Sequence, residues 1–314
     1  MRAAAAFRLR TLLAAAAIFA SLSGCNTAGH SSADMAGMER SGEGGVPPER
    51  GAPASTAAPA YQPPAASRTA LAGIRFEAAT PVDPDYERQF TLYDTQDIFR
   101  GETMTGYRRC SNDPNRLESL LRLPSGAILF ESKMALDVDG GYRPCAGSGG
   151  ATNLCPTTFV YPAAKAWSEA KRKSRWPEAY VTSDLVPYVV LPIAAGSYAA
   201  EGREFTRRTG VRIGDVGVIV YKDKVVPVLV ADGGPHNKIG EGSLAAFDGI
   251  GVSRCARRLA SDPRFCEREK NYSLEGAVVT VLFPGSAIDG LTPDTVNAAV
   301  RAKALALFAA AKRS

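Results

Sequence analysis

Histidine is almost missing from this chain, with two residues in 314, His30 and His236. A catalytic zinc site takes three protein ligands, and a Ser-His-Asp triad needs a histidine beside its nucleophile. Only His236 lies outside the low-complexity N-terminal region, so zinc hydrolysis lacks ligands, and no GxSxG turn accompanies it. CxxC pairs, phosphate loops and a GxGxxG fingerprint are also lacking, which removes the usual redox, nucleotide and dinucleotide chemistries. No apolar run reaches the ~20 residues that a membrane-crossing helix needs. A clustered basic stripe is missing too. The nearest approach, Lys171 to Arg175, reads as a solvated helix face, so nucleic acid is not an expected partner.

What is present begins with an export signal. Arg2, Arg8 and Arg10 precede an unbroken run of apolar and small residues from Thr11 to Ala20. That is the length of a signal-peptide core. Leu22-Ser23-Gly24-Cys25 follows and resembles a bacterial lipobox, with Cys25 as the lipidated residue. Residues 1–24 are therefore expected to be a lipoprotein signal peptide. Removing its three arginines takes the formal charge from +5 to +2. The expected location is the bacterial cell envelope, exported and tied to a membrane through the lipid. Residues 25–70 are rich in Ala, Gly, Ser and Pro and read as a disordered tether. The remainder, 71–314, reads as one folded domain. Its cysteines suit an oxidising compartment, and two short pairs suggest themselves, Cys145 with Cys155 and Cys255 with Cys266, leaving Cys110 over.

Strand-like runs dominate that domain: 89–93, 127–131, 188–192, 216–221, 225–230 and 277–283, with a hairpin turn over 221–225. Helices are fewer. One is predicted over 163–175, ending before Pro177. A C-terminal one starts from Thr292, Pro293 and Asp294 and carries Val296, Val300, Ala304 and Leu307 at helical spacing. The expected fold class is mainly β, a β-rich α+β arrangement forming a single compact barrel-like domain with a few flanking helices.

The stretch from Val225 to Asp248 carries the chemistry. An apolar strand ends at Asp232, Gly233-Gly234-Pro235 turns the chain, and Glu241 follows nine positions later, where a helix over 242–248 is predicted to start. Two carboxyl groups across a cleft are what glycoside hydrolysis needs. One donates a proton to the leaving oxygen, and the other activates water or attacks the sugar. Each residue alone also suits a turn or a helix start. Asp137 and Asp139 flank Val138. They can meet the ammonium groups of an amino sugar, or they can simply form a turn. The regular oxygen spacing of a calcium loop is missing around them. Asp215 and His236 complete the set of candidate substrate contacts, with Asp215 also readable as a strand-start turn residue. Asp184 resembles Asp215. Trp167, Trp176, Tyr188 and Tyr142 can stack on sugar faces or pack in a core.

These motifs resemble glycoside hydrolase family 75, the chitosanases. The likeness rests on Ala231-Asp232 with Ile239-Gly240-Glu241-Gly242-Ser243, and on four further segments: Lys133 to Gly141, Tyr180 to Pro192, Ile213 to Val216 and Phe283 to Ser286. It spans roughly residues 120 to 310, in order. The resemblance implies endo-hydrolysis of β-1,4-linked glucosamine polymers of the chitosan type, with inversion, by Asp232 and Glu241; two-carboxylate hydrolysis itself requires no cofactor, and none is expected. Glu241 is expected as general acid and Asp232 as general base. The expected partner is a polysaccharide. A membrane tether opens alternatives: hydrolysis of peptidoglycan or poly-N-acetylglucosamine, or a non-catalytic glycan-binding or scaffolding lipoprotein.

Overall fold

The computed structural model describes residues 61–83, 98–99, 102–103, 120–141, 156–193, 199–236, 238–270 and 273–314. Cys25, the signal segment, the strand expected over 89–93, Tyr142, Cys110 and the Cys145/Cys155 pair lie outside them. Among the described residues no helix is long and apolar enough to cross a membrane.

Twelve strands are described: β1 (Thr80–Pro81), β2 (Ile98–Phe99), β3 (Glu102–Thr103), β4 (Leu120–Arg122), β5 (Ile128–Asp137), β6 (Tyr188–Leu191), β7 (Val216–Tyr221), β8 (Lys224–Gly233), β9 (Glu241–Ser243), β10 (Cys255–Arg258), β11 (Cys266–Glu269) and β12 (Ser273–Phe283). Helices are α1 (Glu169–Ser174), α2 (Trp176–Ala179), α3 (Ala199–Thr209), α4 (Leu244–Gly249) and α5 (Val296–Ala311). Six strands close into a barrel in the order β5-β12-β7-β8-β6-β9, and β9 returns to pair with β5. Strands β4 and β1 extend the sheet from β5. The mainly β, barrel-like fold with few helices is therefore what the chain adopts.

Local chemistry explains the walls. β7 and β8 are runs of β-branched residues joined by the two-residue turn Lys222-Asp223, in which Lys222 takes a positive φ of 54°. Such left-handed turns match the twist of the strands they join. Pro227 sits in β8 opposite Val218, yet β6 joins β8 only from Leu229 onward, so the missing N–H leaves no gap in that ladder. The ten-residue β5 serves three neighbours. Its first three residues pair with β4, its last three pair in parallel with β9, and β12 runs antiparallel along its other edge.

Alternate strand positions feed two apolar clusters. One contains Val216, Val218, Val220, Leu229, Val279 and Val281, together with Val296, Val300, Ala304 and Phe308 of α5 and with Leu71 and Ile74. A sixteen-residue helix cannot lie inside six strands, so this cluster covers the outer wall. The other takes the opposite positions, including Phe130, Ile219, Val228, Val230 and Leu282, with Phe205 and Phe247 of the flanking helices. These alternate residues fill the barrel.

Several element boundaries differ from expectation. Packed chain starts before residue 71: Tyr61 donates to Glu131 at 2.6 Å and stacks edge-on against Phe76, and Ser67 is buried. The helix predicted over 163–175 is broken into a 3-10 turn at Pro162–Ala164, α1 and α2, because Ser168 caps a fresh start through Lys171 N. Pro177 lies inside α2, in the first turn, where no N–H is required. The last helix begins at Val296, since Thr292 and Thr295 hydrogen-bond to each other and make the preceding residues a turn. Its buried stripe keeps the expected Val296, Val300 and Ala304 and continues through Phe308 and Ala311, while Leu307 is only half-buried. Finally, Cys255 and Cys266 form a disulfide across the β10–β11 hairpin.

Candidate active site

Asp232 and Glu241 arrive at one place by strand register. On β6, Val190 pairs with Asp232 of β8 on one side and with Glu241 of β9 on the other. Paired residues point to the same face, so both carboxylates flank Val190 on the outer wall. For Asp232 this depends on an irregularity. Between the Val189–Val230 and Val190–Asp232 pairs the register shifts by one residue, leaving Ala231 without a β6 partner. An extra residue of this kind re-aims the side chain that follows it. Glu241 was expected to open a helix. It lies instead on the short strand β9, and the helix starts at Leu244 with Ser243 as its cap.

The support beneath β9 is specific. Gly240 has φ +86°, and a Cβ there would lie 2.5 Å from Ser132 Oγ and 2.6 Å from Lys133 O. Only glycine satisfies both demands. Ser243, fully buried, donates to Val186 O at 2.9 Å and accepts from Tyr188 N and Ala246 N at 3.0 and 3.1 Å. Ser183 joins the ends of β5 and α4, donating to Asp137 O at 2.6 Å and accepting from Leu244 N at 3.0 Å.

Asp137 ends β5 two residues beyond Ala135, which pairs with Glu241. Asp139 follows in a turn, its N–H donating to Asp137 Oδ1 at 3.0 Å. Thus Asp139 is not on the strand, but the turn still brings it in. One carboxylate oxygen from each of Asp137, Asp139 and Asp232 lies within 4.8 Å of the others. Such a trio is also the donor set that a hard cation takes, although exposed acidic groups often gather without one. Tyr188 closes the wall beneath, fully buried, with its hydroxyl on Asp139 O at 2.9 Å. It packs rather than presenting a face to a sugar.

Electrostatics separates the carboxyls. Burial, then the neighbouring charges of Asp232 and Glu241, push Asp137 well above the usual carboxylate range. Burial also raises Asp232, against the bonds that stabilise its charge. Those bonds all reach one oxygen. Asp232 Oδ1 accepts from Thr158 N (2.9 Å), Thr158 Oγ1 (2.6 Å) and Gly233 N (2.8 Å), while Oδ2 takes none of these. Glu241 Oε1 is ion-paired with Lys238 Nζ at 2.7 Å, the two side chains being 13% and 11% exposed. Its other oxygen lies against Gly234, where an added Cβ would come within 3.2 Å of it.

Two expected contacts stand apart. Asp215 is buried away from the cluster, accepting Arg212 N at 2.8 Å and Gly285 N at 3.3 Å, and so ties two turns together. Asp184 is buried against the disulfide hairpin, its Oδ1 accepting Cys266 N at 2.6 Å. His236 is half-buried in the loop from Asp232 to Glu241. Sequence reasoning missed Thr158 and Lys238. Lys238 stands three residues before Glu241, a spacing that could have drawn notice, whereas nothing near Thr158 announces its role. Trp176 packs edge-on against Phe265, and Trp167 lies beneath Lys171 and Arg175.

Neither the family models nor the curated proteins compared with this chain match it. The likeness to the family 75 chitosanases therefore rests on the motifs themselves.

Proposed function

We propose that this protein is a two-carboxylate, inverting glycoside hydrolase acting endo on β-1,4-linked amino-sugar polymers of the chitosan type. The observation that carries the reading is the placement of Asp232 and Glu241 on either side of Val190, one strand away each. Two strand spacings put their Cα atoms about 9–10 Å apart. From that span the side chains can hold their carboxyl groups at the ~6.5–9.5 Å that leaves room for a water, and the choice of inversion follows the resemblance to the family 75 chitosanases.

The environments favour the opposite division of labour from the one expected from sequence. Asp232, raised by burial and with Oδ2 unspent, suits the proton donor. Glu241, a carboxylate in an ion pair, suits the base. In this scheme Asp232 protonates the glycosidic oxygen as the bond to the anomeric carbon breaks. Water attacks that carbon from the other face, and Glu241 takes its proton. Lys238 is a positioning residue that holds Glu241. Asp137 and Asp139 face the same space and suit the amino substituents of the substrate. Two-carboxylate hydrolysis calls for no cofactor.

The lipobox at Leu22 to Cys25 supports export and a lipid anchor at Cys25, with the domain in the bacterial envelope. Labelling of the chain by a radioactive fatty acid, abolished in Cys25→Ser, is the expected outcome. Chitosan, partly acetylated chitosan, poly-N-acetylglucosamine and purified peptidoglycan offered side by side test the activity. Reducing ends whose first-formed anomer is α, by proton NMR, are expected. A β anomer would replace inversion with retention, and no release from any polymer would favour a binding lipoprotein.

A further inference from the structure

Beside Asp232 lies a cavity of about 310 Å³ lined by Thr158, Phe159, Val160, Lys165, Arg172 and Ile213. Thr158 belongs to both places, since its N–H and hydroxyl both go to Asp232 Oδ1. Phe159 is fixed to the same strand, its N–H donating to Ala231 O at 2.8 Å. A sugar seated on the carboxylates therefore has a neighbouring substituent or ring at this cavity's mouth.

The cavity is cationic, and its cations are prepared. Arg172 Nε donates to Tyr180 Oη at 3.2 Å, and Nη1 donates to Lys165 O at 3.3 Å and Trp167 O at 2.9 Å. Three of the five guanidinium N–H groups are thus spent on neutral oxygens, which hold the plane in place. Among the described residues Nη2 meets no acceptor, and no carboxylate pairs with this arginine. The carboxylates nearby in sequence are taken: Glu169 by Lys173 at 2.6 Å, and Glu178 by Arg175. Lys165 is exposed and makes no ion pair among the described residues. A fixed guanidinium and an exposed ammonium group lining one cavity, with Phe159 and Val160 as apolar walls, suit a carboxylate on a short apolar stem.

We propose that this cavity is a carboxylate-binding subsite of the cleft, so that the preferred glycan is an amino-sugar polymer carrying acidic side groups, as the lactyl ether of muramic acid does. This rests on the hydrolase reading for the cleft itself. Sugar rings occupy the Asp232–Glu241 face, and the acid of an adjoining ring enters between Lys165 and Arg172.

The test is binding by the full chain carrying Glu241→Gln, so that nothing is cut. The probes are peptide-free peptidoglycan glycan strands, and the same strands with their carboxylates converted to amides. About tenfold tighter binding of the acidic strands is expected. The difference should shrink in Lys165→Gln, whose exposed side chain leaves the fold undisturbed, and vanish when Arg172→Gln is added. Equal binding of acidic and amidated strands would overturn the inference, as would a difference that survives both substitutions. The two readings also separate. Wild-type cutting without discrimination would sink the subsite alone, and discrimination without cutting would sink the hydrolase alone.

Discussion

Asp232 meets three donors with a single oxygen, and that asymmetry has a measurable consequence. The Thr158 hydroxyl stabilises the ionised form, opposing the burial that raises the carboxyl. Thr158→Val removes this bond and leaves the two backbone donors. Asp232 should then hold its proton to higher pH. A bond to a charged acceptor is worth ~1.5–3 kcal/mol, so the alkaline limb of kcat/KM should move up by about one to two pH units. An unmoved limb would take Asp232 out of the acid role. Asp184 gives a second test, on stability. Burial raises its carboxyl from 3.8 to about 6, and its Oδ2 has no partner. A folded-state value above the unfolded one favours the native fold fully below the unfolded value, and that contribution is lost as pH rises through the folded value. Asp184→Asn keeps an acceptor for Cys266 N and carries no charge. Its melting temperature relative to wild type should climb between about pH 4 and pH 6 and then level off, with an upper bound of ~3 kcal/mol. Parallel curves would contradict this.

The elements differ in how plainly the sequence announces them. β7 and β8 are legible because Val-Gly-Val-Ile-Val-Tyr and Val-Val-Pro-Val-Leu-Val have strong β preference and a turn between them. β9 is not, since Glu-Gly-Ser has little such preference, and it becomes a strand only because β5 and β6 offer it partners on both sides. Helix periodicity over 163–175 concealed a break at Ser168, which is both a helix residue and a good cap. The shifted register that turns Asp232 outward is a property of the β6–β8 ladder and leaves no mark on β8 alone. Gly240 tests this element. Gly240→Ala meets both a positive φ and backbone at contact distance, so it should destabilise by more than about 2 kcal/mol in urea unfolding. Ser243→Ala strands the N–H groups of Tyr188 and Ala246 and should cost about 2 kcal/mol. Wild-type stability in either variant would mean that β9 is held by something else.

At the scale of the whole molecule, closure of the barrel concentrates the acids. Asp137 and Asp139 come from the end of β5, Asp232 from the end of β8 and Glu241 from β9. They meet because β9 bridges β5 and β6. The pair Asp232 and Glu241 could be picked out from its glycine-rich loop. Lys238, three residues before Glu241, was within reach of the same reading, while Thr158 and the cationic cavity beyond it required the fold. The same closure explains why Asp215, an equally good candidate by local sequence, ends up tying turns together away from the cluster.

The central claim is that Glu241 acts in turnover and not in holding the glycan or the fold. The direct measurement is reducing-end release and glycan binding by wild type and Glu241→Gln, with circular dichroism to show that both are folded. Release is expected to fall by about a hundredfold to ten-thousandfold while binding persists. Unchanged release by a folded Glu241→Gln protein would remove Glu241 from the chemistry and contradict the two-carboxylate mechanism.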